Sequence, residues 1–122
     1  MKFKSLLTVN AVVSALFGLG FVFMTEMNFD MFGIESSAGA LLMGRFFGAA
    51  LLGFAVIQFF VRNTEGGASQ KGVVTGMLAA WVIMLVCGLY GQLAGGMAAL
   101  GWMNTAIEAI FILLYGRLLA SN

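Results

Sequence analysis

The sequence predicts an all-α membrane protein in which four transmembrane helices form one up-down-up-down bundle over residues 1–122. Composition is the first reason, because 61% of the residues are apolar and 9% are charged, whereas about a quarter are charged in ordinary soluble domains. The second reason is that the apolar residues form four runs, each close to the roughly 20 residues with which an α-helix crosses about 30 Å of hydrocarbon. The predicted helices cover residues 6–24, 39–61, 73–93 and 97–119.

The basic residues that lie outside the apolar runs, or at the end of one, predict the orientation of the bundle. On an up-down-up-down path they all fall at one end, and basic residues in short loops favour the cytoplasmic side. We therefore expect both termini to be cytoplasmic. The first run is longer than the roughly 7 to 15 residues of a signal-peptide core, so we expect it to be a retained helix. The basic residues in question are Lys2, Lys4, Arg62, Lys71 and Arg117.

Composition also excludes several classes of function. Cys87 is the single cysteine and there is no histidine, so the chain has neither a cysteine pair for an intramolecular disulfide nor the commonest metal ligand and general base. The connections are short and carry no set of nucleophile, base and orienting acid. A net charge of +1 without a basic cluster argues against nucleic acid as a partner. We expect no metal, no cofactor and no catalytic activity.

Apart from Arg117, which ends the fourth run, two charged residues lie inside the predicted spans: Arg45 in the second and Glu108 in the fourth. A charge in hydrocarbon costs on the order of 3 kcal/mol on insertion scales, so it needs a partner or a route to the interface. At about 1.5 Å per residue, the Cα atoms of the two residues differ in depth by only about 5 Å. The sequence therefore predicts an intramembrane ion pair between them.

Three interpretations of this pair stay open. In the first interpretation the pair only fixes the register of the helices, as buried ion pairs do when each charge offsets the desolvation of the other. Alternatively it is a functional site, in which Glu108 takes up protons or Arg45 binds an anionic group. In the third interpretation Arg45 reaches the interface and the two residues never meet.

Uncharged polar residues in the spans are expected to support the pair or to join helices. Asn104 and Tyr115 share a helix face with Glu108, because they recur at helical spacing. Asn10 in the first span and Gln58 in the second are predicted to form interhelical hydrogen bonds, each contributing about 1 kcal/mol or less.

Glycines at helical spacing predict close helix packing. Gly44 and Gly48 form a GxxxG motif in the second span, and Gly72 and Gly76 continue a stripe of small residues in the third. Small residues four apart allow helix backbones to approach closely. The contact they form is either within the bundle or with a second chain.

These features resemble the small four-helix bacterial inner-membrane proteins of unknown function near the DoxX-like group. The resemblance implies a four-helix bundle in a bacterial inner membrane, and it implies no activity or catalytic residue. It covers most of the chain. The residues that carry it are Asn10, Gly18, the FGI motif at 32–34, GRFFGAALLG at 44–53, Arg62 and NTAIEAI at 104–110.

Two functions fit this sequence. The first is a non-enzymatic accessory or structural subunit that packs in the lipid bilayer against a larger membrane complex or against its own copies. The alternative is a small carrier or binder of an anionic, lipid-like or quinone-like molecule that uses Arg45 and Glu108.

Overall fold

The computed structural model describes residues 2–64 and 67–121 and consists, over these residues, of five α-helices without strands. Four of the helices are long and apolar enough to cross a membrane, which confirms the all-helical prediction and indicates a multi-pass membrane protein. The helices are α1 Phe3–Phe23, α2 Thr25–Phe32, α3 Ala38–Val61, α4 Ala68–Ala94 and α5 Gly101–Ala120.

Helix α2 is a short amphipathic helix in the segment between the first two predicted spans, where no helix was predicted. It buries Thr25, Phe29 and Phe32 on one face and exposes its acidic residues. Gly33 ends it in the left-handed conformation with φ 73°, which glycine adopts without steric cost. The N–H of Ile34 then donates to the carbonyl of Phe29 at 2.8 Å. Polar residues lower the hydropathy of this segment, so hydropathy alone did not reveal the helix.

Two helix starts differ from the predicted ones. Helix α4 begins at Ala68, before the predicted start at 73, because small and polar residues extend the helix beyond its apolar part. Helix α5 begins at Gly101, after the predicted start at 97. Met97 and Leu100 belong instead to the turn, where they pack on buried phenylalanines from α1 and α2.

The four long helices pack mainly as two pairs, α1 with α3 and α4 with α5. Further contacts join α3 to α4 and α1 to α5. The rings of Trp81 and Phe111 stack across the second pair, with centroids 5.0 Å apart and an angle of 12° between planes. The main core cluster combines residues of α1, α4 and α5: Leu6, Leu7, Val74, Met77, Trp81, Phe111, Tyr115 and Leu118.

The backbones of α1 and α3 come into direct contact at two glycines. A Cβ atom added to Gly48 would lie 2.8 Å from the carbonyl oxygen of Gly18, and one added to Gly18 would lie 2.9 Å from that of Gly48. One turn earlier, a Cβ atom on Gly44 would lie 2.7 Å from the ring of Phe29 in α2. The GxxxG motif thus lies against neighbouring helices of the same chain.

Gly72 and Gly76 do not share this role. Both are exposed, and a Cβ atom added to either would meet nothing within 4 Å. Helix α4 turns its other side, which carries Val74, Met77 and Trp81, toward the core. Of the two contacts that the sequence leaves open for these glycines, the one within the bundle is absent among the described residues.

We expect Gly48→Ala to lower the free energy of unfolding by about 1 to 3 kcal/mol, because the new methyl group overlaps the backbone of α1. The matched control is Gly53→Ala in the same helix, where a Cβ atom meets nothing within 4 Å. This control should be neutral or stabilise by up to about 1 kcal/mol through helix propensity. Titration with a denaturing detergent measures both values, and equal stabilities of the two variants would contradict the proposed contact.

Candidate intramembrane polar site

Four buried polar side chains form a hydrogen-bonded network, which we call the Tyr115 network: Asn10, Ser14, Gln58 and Tyr115. Each is at most 1% exposed. The Tyr115 hydroxyl accepts a hydrogen bond from Asn10 Nδ2 and donates one to Gln58 Oε1 at 2.7 Å. Ser14 Oγ donates to Asn10 Oδ1 at 3.2 Å. One hydroxyl on α5 therefore links α1 to α3.

Asn104 and Glu108 form a second polar pair one turn apart on α5. Asn104 Nδ2 donates to Glu108 Oε1 at 2.6 Å, and Glu108 is 1% exposed. Glu108 Oε2 has no hydrogen-bond partner among residues 2–64 and 67–121. This oxygen faces α4 and would lie 3.3 Å from a Cβ atom placed on Gly88. Gly88 thus leaves room on α4 for the carboxylate.

The structure does not bring Arg45 and Glu108 together. Arg45 is exposed on α3, whereas Glu108 lies against α4, and no ion pair joins them in the described part of the chain. The prediction rested on the similar depth of the two Cα atoms, and depth does not determine the rotation of each helix about its axis. At about 100° per residue, Arg45 lies about 140° around α3 from Gln58, so a helix that buries Gln58 turns Arg45 outward. The predicted ion pair is corrected accordingly.

A small cavity of about 10 Å³ lies between the four long helices. Its lining is mostly apolar, and Ser14, Asn104 and Trp81 are the lining residues that carry polar side-chain atoms. Trp81 Nε1 has no hydrogen-bond partner among the described residues. A cavity of this size has room for about one water molecule. It lies between the two polar clusters and is too small for an organic ligand. The remaining lining residues are Val13, Phe17, Phe47, Leu51, Met84 and Ile107.

The chemistry available at this site is hydrogen bonding within the bundle. The Tyr115 hydroxyl uses one donor and one acceptor function, so it is satisfied inside the protein. Within the described ranges, no group of three His, Cys, Asp or Glu residues is placed to hold a metal ion. The arrangement joins helices, and its one open acceptor is Glu108 Oε2.

Sequence reasoning missed one residue of this site, Gly88. It had no signal, because only the contact between α4 and α5 shows that it faces Glu108. Ser14 follows Asn10 by one helical turn, a spacing that places both on one helix face.

Comparisons of the chain with models of known protein families, with curated proteins and with solved structures find no match. The resemblance to the small membrane proteins near the DoxX-like group stays a prediction.

We expect the effects of Arg45→Ala and Glu108→Gln on the free energy of unfolding to add to within about 0.3 to 0.5 kcal/mol, because the two side chains share no partner. Asn104→Leu combined with Glu108→Leu is the positive control, since those two side chains share a hydrogen bond that leucine can neither donate nor accept. A detergent-unfolding cycle measures both pairs. An interaction energy between Arg45 and Glu108 as large as that of the control pair would show that they meet.

Proposed function

We propose that this protein is a small, non-enzymatic subunit of a bacterial inner membrane that associates laterally with its own copies or with a larger membrane complex. The association uses one face of α4. This proposal keeps the up-down-up-down bundle and the cytoplasmic orientation of its basic end.

The observation that carries the proposal is a continuous face of α4 without partners among residues 2–64 and 67–121, which we call the α4 outer face. Its members recur at helical spacing, all are exposed, and they lie opposite the buried side of the helix. The face combines glycines at one end with Tyr90, 75% exposed, at the other. It consists of Gly72, Gly76, Ala79, Ile83, Val86, Cys87 and Tyr90.

The glycines are the informative part of this face. Large apolar side chains need no protein partner where they face lipid, whereas glycine within a helix costs about 1 kcal/mol relative to alanine. Gly44 and Gly48 offset that cost by close contacts with α1 and α2, but Gly72 and Gly76 have none with the rest of the described chain. Close approach of a second helix would give them the dispersion contacts that small residues permit in membranes.

Contacts at the two ends of the bundle support the alternating path. At one end, the N–H of Ala98 donates to the carbonyl of Phe32 at 3.1 Å, which joins the α4–α5 turn to the end of α2. At the other end, Leu6 and Leu7 of α1 belong to one cluster with Leu118 of α5. The basic residues of the termini and of the α3–α4 connection are predicted to lie at this second end, which supports its assignment to the cytoplasm.

A second candidate function, a small binder or carrier, keeps one observation in its favour. Glu108 is buried in a membrane span and has an oxygen without a partner in the described residues, and ionisable groups at such positions are commonly functional. Arg45 no longer belongs to that candidate site. Gentle-detergent purification separates the two functions: a small molecule that is retained by the protein but lost in Glu108→Gln supports the binder.

We expect a bismaleimide cross-linker to join two copies through Cys87, the single cysteine, in native membranes. Gly76→Leu should lower the cross-linked fraction by about fivefold, if close packing contributes about 1 kcal/mol. Gly53→Leu is the matched control, because Gly53 is also exposed and free of contacts but lies on α3. Gel electrophoresis measures the cross-linked fraction.

Equal loss in the two variants would contradict a role for the α4 outer face. A monomer that elutes alone from gentle detergent would contradict the lateral association itself. An identified membrane protein that co-elutes with the chain and is lost in Gly76→Leu would assign the face to a larger complex instead of to a second copy.

A further inference from the structure

An apolar groove runs between α1 and α3 on the surface of the bundle. Its volume is about 380 Å³, and at about 1.5 Å per residue it extends about 15 Å along α3, from Leu52 to Arg62. Apart from Thr8 and Arg62, the lining is apolar. The other lining residues are Ala11, Val12, Ala15, Ala55, Val56, Phe59 and Phe60.

A cation is held at one end of this groove. The Arg62 guanidinium carbon lies 3.9 Å from the centre of the Phe59 ring, a cation–π arrangement that fixes the charge against the groove wall. Arg62 Nε is buried and has no hydrogen-bond partner in the described part of the chain. The Arg62 carbonyl oxygen accepts from Gln70 Nε2 at 3.3 Å, which ties the residue to α4.

A second basic residue follows this end of the groove on α1, although it is not among the lining residues. Lys4 lies one turn before Thr8 on α1, and the two are joined by a hydrogen bond of 2.7 Å from Thr8 Oγ1 to the Lys4 carbonyl. Residues four apart lie on the same helix face, so Lys4 extends the face that lines the groove. None of the lining residues is acidic. Glu65, the nearest acid to Arg62 in the sequence, lies outside the described residues.

A neighbouring groove lacks this charge. It lies between α1 and α5, has a volume of about 230 Å³, and is lined only by apolar residues. Any acyl chain fits such a surface equally well. The α1–α3 groove differs because Arg62 lines it and Lys4 lies one turn beyond Thr8, which matches a molecule with an acyl chain and an anionic head.

We propose that the α1–α3 groove is a binding site for an anionic phospholipid. The acyl chain lies along α1 and α3, and the phosphate contacts Arg62 and Lys4. The basic end of the bundle is the predicted cytoplasmic end, where anionic lipids attract juxtamembrane basic residues with about 1 kcal/mol each. The site is separate from the α4 outer face and does not depend on lateral association.

Native mass spectrometry of the full chain tests this site. Released from micelles containing equal amounts of phosphatidylglycerol and phosphatidylcholine with the same acyl chains, the protein should retain mainly phosphatidylglycerol. Arg62→Gln should lower that retention about fivefold, the effect of one basic residue near an anionic headgroup, and Arg62→Lys should restore part of it. Retention of phosphatidylcholine, which needs no cation, should be unchanged in both variants.

Two matched controls separate the groove from general surface charge. Arg117→Gln removes an exposed basic residue of α5 that does not line the groove, so phosphatidylglycerol retention should stay at the wild-type value. Val12→Trp fills the groove and should lower retention, whereas Val9→Trp, exposed on α1 outside the groove, should not. Equal losses in Arg62→Gln and Arg117→Gln, or equal retention of the two lipids by the wild type, would overturn the proposal.

Gly76→Leu distinguishes this proposal from lateral association. The variant should keep its preference for phosphatidylglycerol even where it loses the Cys87 cross-link. A parallel loss of both properties would overturn the assignment of the lipid to α1 and α3, because Gly76 is exposed on α4 and does not line the groove.

Discussion

The rotation of the helices depends on the Tyr115 hydroxyl, which accepts from Asn10 and donates to Gln58. Hydrocarbon offers a buried amide no alternative partner, so separating these groups would leave donors and acceptors unpaired at about 1 to 3 kcal/mol each. With Asn10 and Gln58 held inward, the glycine faces of α1 and α3 meet at Gly18 and Gly48. Tyr115 also packs in the core cluster with residues of α1 and α4.

The same helix rotations determine which side chains lie on the surface of the bundle. Holding Gln58 inward turns Arg45 away from the bundle, so the intramembrane arginine is a surface feature. Burying Trp81 leaves the opposite side of α4, with its glycines, without a partner among the described residues. The α1–α3 groove lies on another side, beside the helix pair that Gly18 and Gly48 bring together. The proposed lateral association and the proposed lipid site therefore involve different surfaces of the bundle.

Hydropathy predicted the four apolar helices because each must cover the full thickness of hydrocarbon. It did not reveal α2, whose polar residues lower its hydropathy although its phenylalanines are buried. Helical spacing placed Asn104 with Glu108, since both lie on one helix. Helical spacing and depth did not identify the residue of α4 that faces Glu108. Depth gives a position along a helix axis, whereas contacts between helices depend on the rotation of each helix about its axis. The meeting of Asn10, Gln58 and Tyr115 required the packing of three helices.

A double-mutant cycle on Asn10→Leu and Tyr115→Phe tests the central role of this hydroxyl most directly. We expect the double variant to lose less unfolding free energy than the sum of the two single variants. The interaction energy should be about 0.6 to 1.7 kcal/mol, the range of hydrogen bonds between membrane helices. Asn10→Leu with Tyr90→Phe, an exposed tyrosine of α4, should show none. Additive losses for Asn10→Leu and Tyr115→Phe, to within about 0.3 to 0.5 kcal/mol, would contradict the linking role of the Tyr115 hydroxyl.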